Sequence, residues 1–198
     1  MSLPVRSGVT EAEYLAFERA SDEKHEFHAG RIYALAGTSR EHGLVALNLG
    51  AELRGALRGR PCETFVGDIR VRVSDTGLST YPDVVVACGE PAWLDAEVDT
   101  LLDPTVVVEV LSPSTERYDR GDKFAHYCRL PSLAEYVLVA TERPRVERFA
   151  RQGDVWVLSE ADGLDATLAL DALGCRIPLA AIYERVTFPD PPPHAPRG

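Results

Sequence analysis

Two runs of β-branched residues stand out in the pattern of hydrophobic positions along the chain. Residues 84–86 are three valines that follow Tyr81-Pro82-Asp83, and residues 106–110 are four valines interrupted by Glu109. Apolar runs of this kind predict strands that are covered on both faces of a sheet. Because a buried strand has no structural use for a carboxylate, Asp83 and Glu109 indicate a site where the two strands open.

The N-terminal part of the chain predicts a helix, a hairpin and a longer helix. Thr10-Glu-Ala-Glu13 has the form of a capping box, followed by a short helix to about residue 19. Residues 24–35 alternate around Ala29-Gly30 and predict a β-hairpin that turns at Gly30. Thr38-Ser-Arg-Glu41 resembles a second capping box, which opens a helix over about residues 39–57 with one apolar face.

The remaining pattern predicts strands around one more helix. Residues 63–73 are predicted to form a strand whose solvent-exposed face carries Arg70 and Arg72. Residues 93–98 are predicted to form a short helix. A helix over residues 114–129 should be irregular at Gly121, and three strands follow over residues 135–140, 145–151 and 155–160. This order predicts a mixed α/β fold in one domain over residues 1–188, with a disordered proline-rich tail over residues 189–198.

Composition narrows the class of protein. The 198 residues carry a net charge of -10, which argues against a general nucleic-acid coat protein but not against a nuclease, whose carboxylates add negative charge of their own. No apolar run reaches the length of a membrane span, and the first eight residues lack the apolar core of a signal peptide, so we expect a soluble, cytoplasmic protein. The four cysteines include no CxxC pair, and we expect reduced thiols.

Lysine is rare in this chain. Of 21 basic residues, Lys24 and Lys123 are the only lysines. A lysine is a compact donor whose pKa responds to its surroundings, as a catalytic amine requires, whereas arginine is always protonated. Two ordinary surface lysines in an arginine-rich protein remain the alternative until their positions in the fold are known.

Four segments together resemble a known family. They are Tyr-Pro-Asp83, Val-Glu109-Val-Leu-Ser-Pro-Ser-Thr, Tyr-Asp-Arg-Gly-Asp-Lys123-Phe-Ala-His-Tyr and Leu-Ala-Glu-Tyr-Val-Leu. The chain resembles, over roughly residues 14–156, the Uma-two family of candidate restriction endonucleases, a branch of the PD-(D/E)XK nuclease superfamily. The resemblance implies a restriction-endonuclease-like fold, with a mixed β-sheet flanked by helices and a metal held by Asp83 and Glu109.

The position of the lysine departs from the superfamily signature. In that signature the lysine stands two residues after the glutamate, where this chain has Leu111, and the family resemblance places it at Lys123 on the following helix. A helix that doubles back along the sheet rises about 1.5 Å per residue, which puts Lys123 on the order of 13 Å back from Ser114. The lysine side chain can span the remaining gap.

The carboxylates and histidines also have plainer interpretations. Asp83 can simply end a turn, and Glu26 can be an exposed hairpin charge, although the family resemblance places a glutamate before the hairpin glycine in the acidic cluster. His25 and His28 point to opposite faces of a strand and make a poor metal pair, so we interpret both as structural. His42, near the positive end of its helix, could meet a phosphate or be an ordinary exposed histidine. Tyr127 and Tyr136 read as core or rim aromatics.

The first functional hypothesis is a Mg²⁺- or Mn²⁺-dependent endonuclease that hydrolyses DNA phosphodiester bonds. Asp83 and Glu109, with Glu26 and the carbonyl of Val110, would hold the metal, and Lys123 would orient or deprotonate the attacking water. Further residues could contact phosphate or support the site from behind: Asp68, Arg70, Arg72, Arg117 and Arg120.

Two other functions use the same residues. A catalytically silent module could bind metal and dock to nucleic acid or to a protein partner, as the acidic pI near 5.0 favours. A small-molecule phosphohydrolase would use the same metal chemistry. The choice between DNA and RNA stays open, and a homodimer through exposed edge strands is a hypothesis from fold analogy.

Overall fold

The computed structural model describes residues 4–35 and 37–189, and of the predicted disordered tail it therefore describes residue 189 alone. The described chain forms two six-stranded sheets, a two-stranded sheet and flanking helices. The helices are α1 (Glu11–Arg19), α2 (Arg40–Ala56), α3 (Glu116–Tyr118), α4 (Phe124–Tyr127) and α5 (Leu179–Ile182), with a π-helical segment (Asp119–Lys123) between α3 and α4. The strands are β1 (Arg6–Ser7), β2 (His25–His28), β3 (Arg31–Ala34), β4 (Cys62–Val66), β5 (Arg70–Val73), β6 (Leu78–Thr80), β7 (Val84–Cys88), β8 (Thr100–Leu101), β9 (Val106–Val110), β10 (Glu135–Val139), β11 (Arg145–Gln152), β12 (Val155–Asp162), β13 (Thr167–Leu170) and β14 (Cys175–Pro178).

The two valine-rich strands are neighbours inside the sheet β12-β11-β10-β9-β7-β4. β7 and β9 pair antiparallel with Val84 opposite Val108, and β9 is parallel to β10. One face of this sheet packs on α2 and α5, and the other face packs on the helical region that contains Tyr127. All five residues of β9 are buried, which explains the continuous valine run and confirms a strand covered on both faces.

The N-terminal hairpin lies in the other sheet, β1-β3-β2-β6-β5-β8. It turns at Ala29 and Gly30, whose φ angles of 49° and 74° fit a tight two-residue turn. The predicted strand over residues 63–73 is in fact two strands, because Gly67 adopts a φ of 69° and β4 and β5 then join different sheets. The break passes the chain from one sheet to the other directly beside Asp83, whose carbonyl accepts the Gly67 amide.

Most of the predicted helices are present, but their ends and some of their bounds differ from the prediction. Thr10 and Glu13 form the predicted capping box of α1. The cap of α2 is Ser39 rather than Thr38, since the Ser39 side chain accepts from the His42 amide. An isolated β-bridge from Trp93 to Leu101, followed by bends and turns, replaces the predicted helix over residues 93–98. The irregularity expected at Gly121 is the π-helical segment. The β13–β14 hairpin and α5 were not predicted.

The prediction of four reduced cysteines is wrong for one pair. The antiparallel register of β4 and β7 places Cys62 directly opposite Cys88, with Cα atoms 4.0 Å apart, and the two form a disulfide. Cys128 and Cys175 are free. Spacing along the chain gave no indication of the pair, because it arises from strand register across a separation of 26 residues. None of the helices in residues 4–35 and 37–189 has the length and apolar character that a membrane crossing requires.

Candidate active site

Four elements bring polar side chains into one cavity of about 630 Å³. Glu26 comes from β2, Asp83 precedes β7, Glu109 lies in β9, and Lys123 ends the π-helical segment. The sheet thus supplies the carboxylates and the helix that follows it supplies the lysine. His42, Tyr81, Tyr118, Asp119 and the hydroxyl residues Ser39, Ser112, Ser114, Thr115 and Thr141 also line the cavity.

Lys123 lies at the centre of the cluster. Its Nζ is 3.0 Å from Oε1 of Glu109, 3.2 Å from Oε1 of Glu26 and 3.7 Å from Oδ1 of Asp119. The side chain is only 6% exposed, so its charge is compensated by these carboxylates rather than by solvent. Burial opposes the charge, but the carboxylates of Glu109 and Glu26 outweigh it and hold the pKa of Lys123 above its usual value.

Glu109 is buried within the sheet, and side chains of the helical region that packs on the sheet contact its carboxylate. Its Oε1 accepts a hydrogen bond of 2.9 Å from the Tyr127 hydroxyl as well as the contact from Lys123. Burial raises the pKa of Glu109 well above its ordinary value, and the Lys123 charge offsets this only in part. Tyr127, which read as a core aromatic, therefore also supports the carboxylate that interrupts the valine run.

Asp83 is fixed by two donors on one oxygen. Its Oδ2 accepts a 2.7 Å hydrogen bond from the Val110 amide and lies 3.3 Å from Nε2 of His42. His42 is 9% exposed and lines the cavity, so the alternative of an ordinary exposed helical histidine is wrong. Burial lowers the pKa of His42, yet the Asp83 carboxylate outweighs burial and the net shift is upward.

Asp119 is a site residue that sequence reasoning missed. It is 3% exposed, lines the cavity and faces Lys123, four residues later. Burial raises the pKa of Asp119, and the charge of Lys123 acts against that rise. The i,i+4 spacing of an aspartate and the rare lysine on one helix was the available indication. With Asp119, three carboxylates lie within 4 Å of one ammonium group, and Asp83 lines the same cavity.

The donor chemistry of the cluster fits a hard divalent cation. In the described part of the chain, protein contacts engage Oδ2 of Asp83 and Oε1 of Glu109, which leaves the other oxygen of each carboxylate available in the cavity. Carboxylate and carbonyl oxygens are the ligands that Mg²⁺ and Mn²⁺ prefer. No group of three His, Cys, Asp or Glu side chains in residues 4–35 and 37–189 is arranged so that it could hold a metal ion by itself. An ion would therefore complete its coordination with water or substrate oxygens.

Several residues that were expected to contact the substrate phosphate or to support the site lie outside the catalytic cavity. Arg70 is 2% exposed and pairs with Asp99 at 3.0 Å, and Arg72 pairs with Glu11, so the expectation of a wet arginine face on this strand is wrong. Asp68 pairs with Lys24 on the surface, away from the cavity. Two others lie outside the cavity lining: Arg117 is exposed on α3, and Arg120 pairs with Glu116 and Glu147 beside a second cavity.

α1 anchors the chain next to two of the carboxylates. Its two buried side chains, Tyr14 and Glu18, both bond to His25, which precedes Glu26. The Tyr14 hydroxyl donates to the His25 carbonyl at 2.8 Å, and Glu18 accepts from the His25 amide at 2.8 Å. The same Glu18 oxygen accepts from the Tyr81 hydroxyl at 2.9 Å, two residues before Asp83. One buried carboxylate thus ties together the segments that carry Glu26 and Asp83.

Glu18→Ala should destabilise the protein by about 2–4 kcal/mol, because it leaves the His25 amide and the Tyr81 hydroxyl buried without their acceptor. The measurement is urea unfolding, with the exposed Glu23→Ala as the matched control. Equal unfolding midpoints for the two variants would show that Glu18 is not an anchor.

The geometry described above, a mixed sheet with carboxylates at the strand openings and a lysine on the flanking helix, defines a restriction-endonuclease-like protein. The Uma2 family model, described as "Putative restriction endonuclease", matches residues 11–180. The chain belongs to this family.

The chain is also similar to two uncharacterized proteins and to one solved structure. The chain is 34% identical to the uncharacterized protein slr1290 of Synechocystis sp. over 177 residues, 89% of this chain and 92% of that protein. It is 36% identical to the uncharacterized protein sll1609 of the same organism over 161 residues, 81% and 91% of the two chains. The crystal structure of "a putative nuclease belonging to DUF820" from Anabaena variabilis shares the fold, with a TM-score of 0.74, 15% identity and coverage of 90% of this chain and 99% of that chain.

Proposed function

We propose that the protein is a metal-dependent endonuclease that hydrolyses phosphodiester bonds of DNA. The observation that carries the proposal is the convergence of Asp83, Glu109 and Lys123 from separate elements in one cavity. Family membership and the nuclease-like fold support the reaction class. A purely structural cluster would not need three carboxylates around a single buried ammonium group, with a fourth in the same cavity.

Asp83 and Glu109 would hold Mg²⁺ or Mn²⁺ through their available oxygens, with the Val110 carbonyl and Glu26 as further oxygen donors. The bound ion would lower the pKa of a water molecule and offset the charge that develops on the phosphate. The Val110 amide and His42 fix the Asp83 carboxylate, and Tyr127 fixes Glu109. The protein thus orients both carboxylates before substrate arrives.

Lys123 would act as a donor to the attacking water or to a phosphate oxygen. Glu26 and Asp119 flank its ammonium group and, with Glu109, keep it at the inner end of the cavity. Thr80 donates to the Glu26 oxygen that also contacts Lys123, which fixes Glu26 in turn. Water or substrate oxygens would supply the remaining interactions at the open side of the site.

If the protein binds a divalent metal ion, the ion should increase its thermal stability. Saturating Mn²⁺ or Mg²⁺ should raise the melting temperature of the parent by about 5 °C or more, because an ion that binds only the folded state stabilises it by mass action. Asp83→Asn should lose this shift, whereas a matched change at the exposed Asp22, Asp22→Asn, should keep it. An equal shift in both variants would place metal binding elsewhere.

A docking module without catalysis is the second candidate, and the net charge of -10 favours it over a broad DNA-binding surface. Such a module would retain DNA or a protein partner in EDTA and would cleave nothing. A small-molecule phosphohydrolase would cleave a mononucleotide or a phosphate ester but leave plasmid DNA intact. Product analysis separates the three functions.

A further inference from the structure

A second cavity, of about 440 Å³, adjoins the catalytic cavity. The two share Leu111, Ser112, Pro113 and Thr141 as lining residues, so they lie on either side of the segment that follows β9. A polymer bound at the carboxylate cluster could extend past these shared residues into the second cavity. A compact small substrate would not need it.

Arginine is concentrated in this second cavity. Three arginines line it, Arg120, Arg143 and Arg145, together with three glutamates, Glu116, Glu142 and Glu147, whereas no arginine lines the catalytic cavity among the described residues. Guanidinium groups match phosphate oxygens in geometry and charge. The arrangement therefore places guanidinium groups that can bind an anion beside the carboxylate cluster that would bind a cation.

A buried carboxylate orients two of these arginines. Glu147 is 7% exposed, accepts from Arg145 at 3.0 Å and also pairs with Arg120. Each arginine has a second, more exposed partner: Glu116 for Arg120 and Glu160 for Arg145. Exposed ion pairs contribute little to stability, so a phosphate can replace these outer glutamates while Glu147 keeps both guanidinium groups in place.

Arg143 is the arginine of the second cavity that has no ion-pair partner among the described residues. Arg143 is exposed, and no carboxylate of residues 4–35 and 37–189 forms an ion pair with it. The Nε of Arg145 is buried and makes no hydrogen bond to the described chain. A bound anion would give the exposed Arg143 guanidinium a charged partner that the described residues do not supply.

We propose that the second cavity is a subsite for a phosphodiester that neighbours the scissile one on the same DNA strand, with Arg143 as its principal contact. The proposal rests on the proposed nuclease function and specifies where the substrate backbone runs. Contacts of this kind supply affinity and register without reading sequence. In a protein of net charge -10, Arg143 would give the DNA backbone a local cationic contact beside the scissile phosphate.

The test measures DNA binding with Ca²⁺ in place of Mg²⁺, for the parent, Arg143→Gln and the matched control Arg58→Gln. Arg58 is exposed and lines neither cavity. Removing one phosphate contact should reduce the steepness of log affinity against log salt by about 1. The ratio of parental to Arg143→Gln affinity should therefore fall about fourfold between about 50 and about 200 mM salt. Arg58→Gln should match the parent.

Duplexes with one uncharged methylphosphonate near the mapped cut position identify the phosphate. The parent should bind more weakly when the methylphosphonate stands at one flanking position. Arg143→Gln should bind that duplex as well as it binds the unmodified one. Equal losses in parent and variant at every position, or equal salt slopes for the two arginine variants, would overturn the subsite while leaving the nuclease intact. A parent that neither binds nor cleaves DNA would instead overturn the proposed function on which the subsite rests.

Discussion

Glu109→Gln should abolish metal-dependent DNA cleavage, with a loss of at least about 10³-fold, while the fold remains intact. Glutamine keeps the size of the side chain and an acceptor for Tyr127, but it removes the charge that would hold the metal. A loss of that size corresponds to about 4 kcal/mol of transition-state stabilisation, within the range expected of a catalytic metal site.

Single-turnover cleavage measures this effect, with thermal unfolding in EDTA as the check on folding. Since burial disfavours the charged form of Glu109, the variant should unfold no earlier than the parent in EDTA. Glu52→Gln, an exposed change on α2, is the matched control and should cut at the parental rate. Parental cleavage by Glu109→Gln would remove Glu109 from the catalytic site.

Lys123→Ala should lose both activity and stability. The ammonium group is the nearest cation to Glu26, Glu109 and Asp119, and its removal leaves buried carboxylates without compensation. Breaking a buried ion pair in this way costs about 3–5 kcal/mol, and loss of a positioned donor or acid–base group lowers the rate by about 10²- to 10⁴-fold.

The other lysine provides the matched control for this variant. Lys24 is half-exposed, and it contacts the exposed Asp68 and the Gly67 carbonyl. Lys24→Ala should therefore change the free energy of unfolding by at most about 1 kcal/mol and leave cleavage unchanged. Urea unfolding and cleavage assays on both variants provide the comparison. Equal effects of the two substitutions would mean that Lys123 has no special role.

The central strands and their carboxylates could be predicted because a charged residue within a buried apolar strand is energetically unfavourable and therefore conspicuous in the sequence. A carboxylate inside a valine run has no place in a sheet covered on both faces, and this conflict marks Glu109 in the sequence alone. The hairpin that carries Glu26 and the helix irregularity before Lys123 likewise follow from local turn and helix chemistry. These features depend on neighbours in sequence, which a pattern can report.

Other features depend on long-range geometry that no local pattern contains. The Cys62–Cys88 pair results from strand register, and Arg70 is buried because Asp99, 29 residues along the chain, neutralises it. The alternation around Arg70 predicts a half-exposed strand, but this strand lies between β6 and β8 in a second sheet, where Arg72 pairs with Glu11 of α1. His42 reaches Asp83 only because the start of α2 packs against the opening of β7.

Cleavage of supercoiled plasmid and of single-stranded DNA in Mg²⁺ or Mn²⁺ tests the central claim most directly, with the parent, Glu109→Gln and Lys123→Ala assayed side by side and EDTA as the blank. We expect the parent to nick the plasmid only with metal and both variants to lose the activity. No cleavage by the folded parent with either metal would contradict the nuclease, as would undiminished cleavage by both variants.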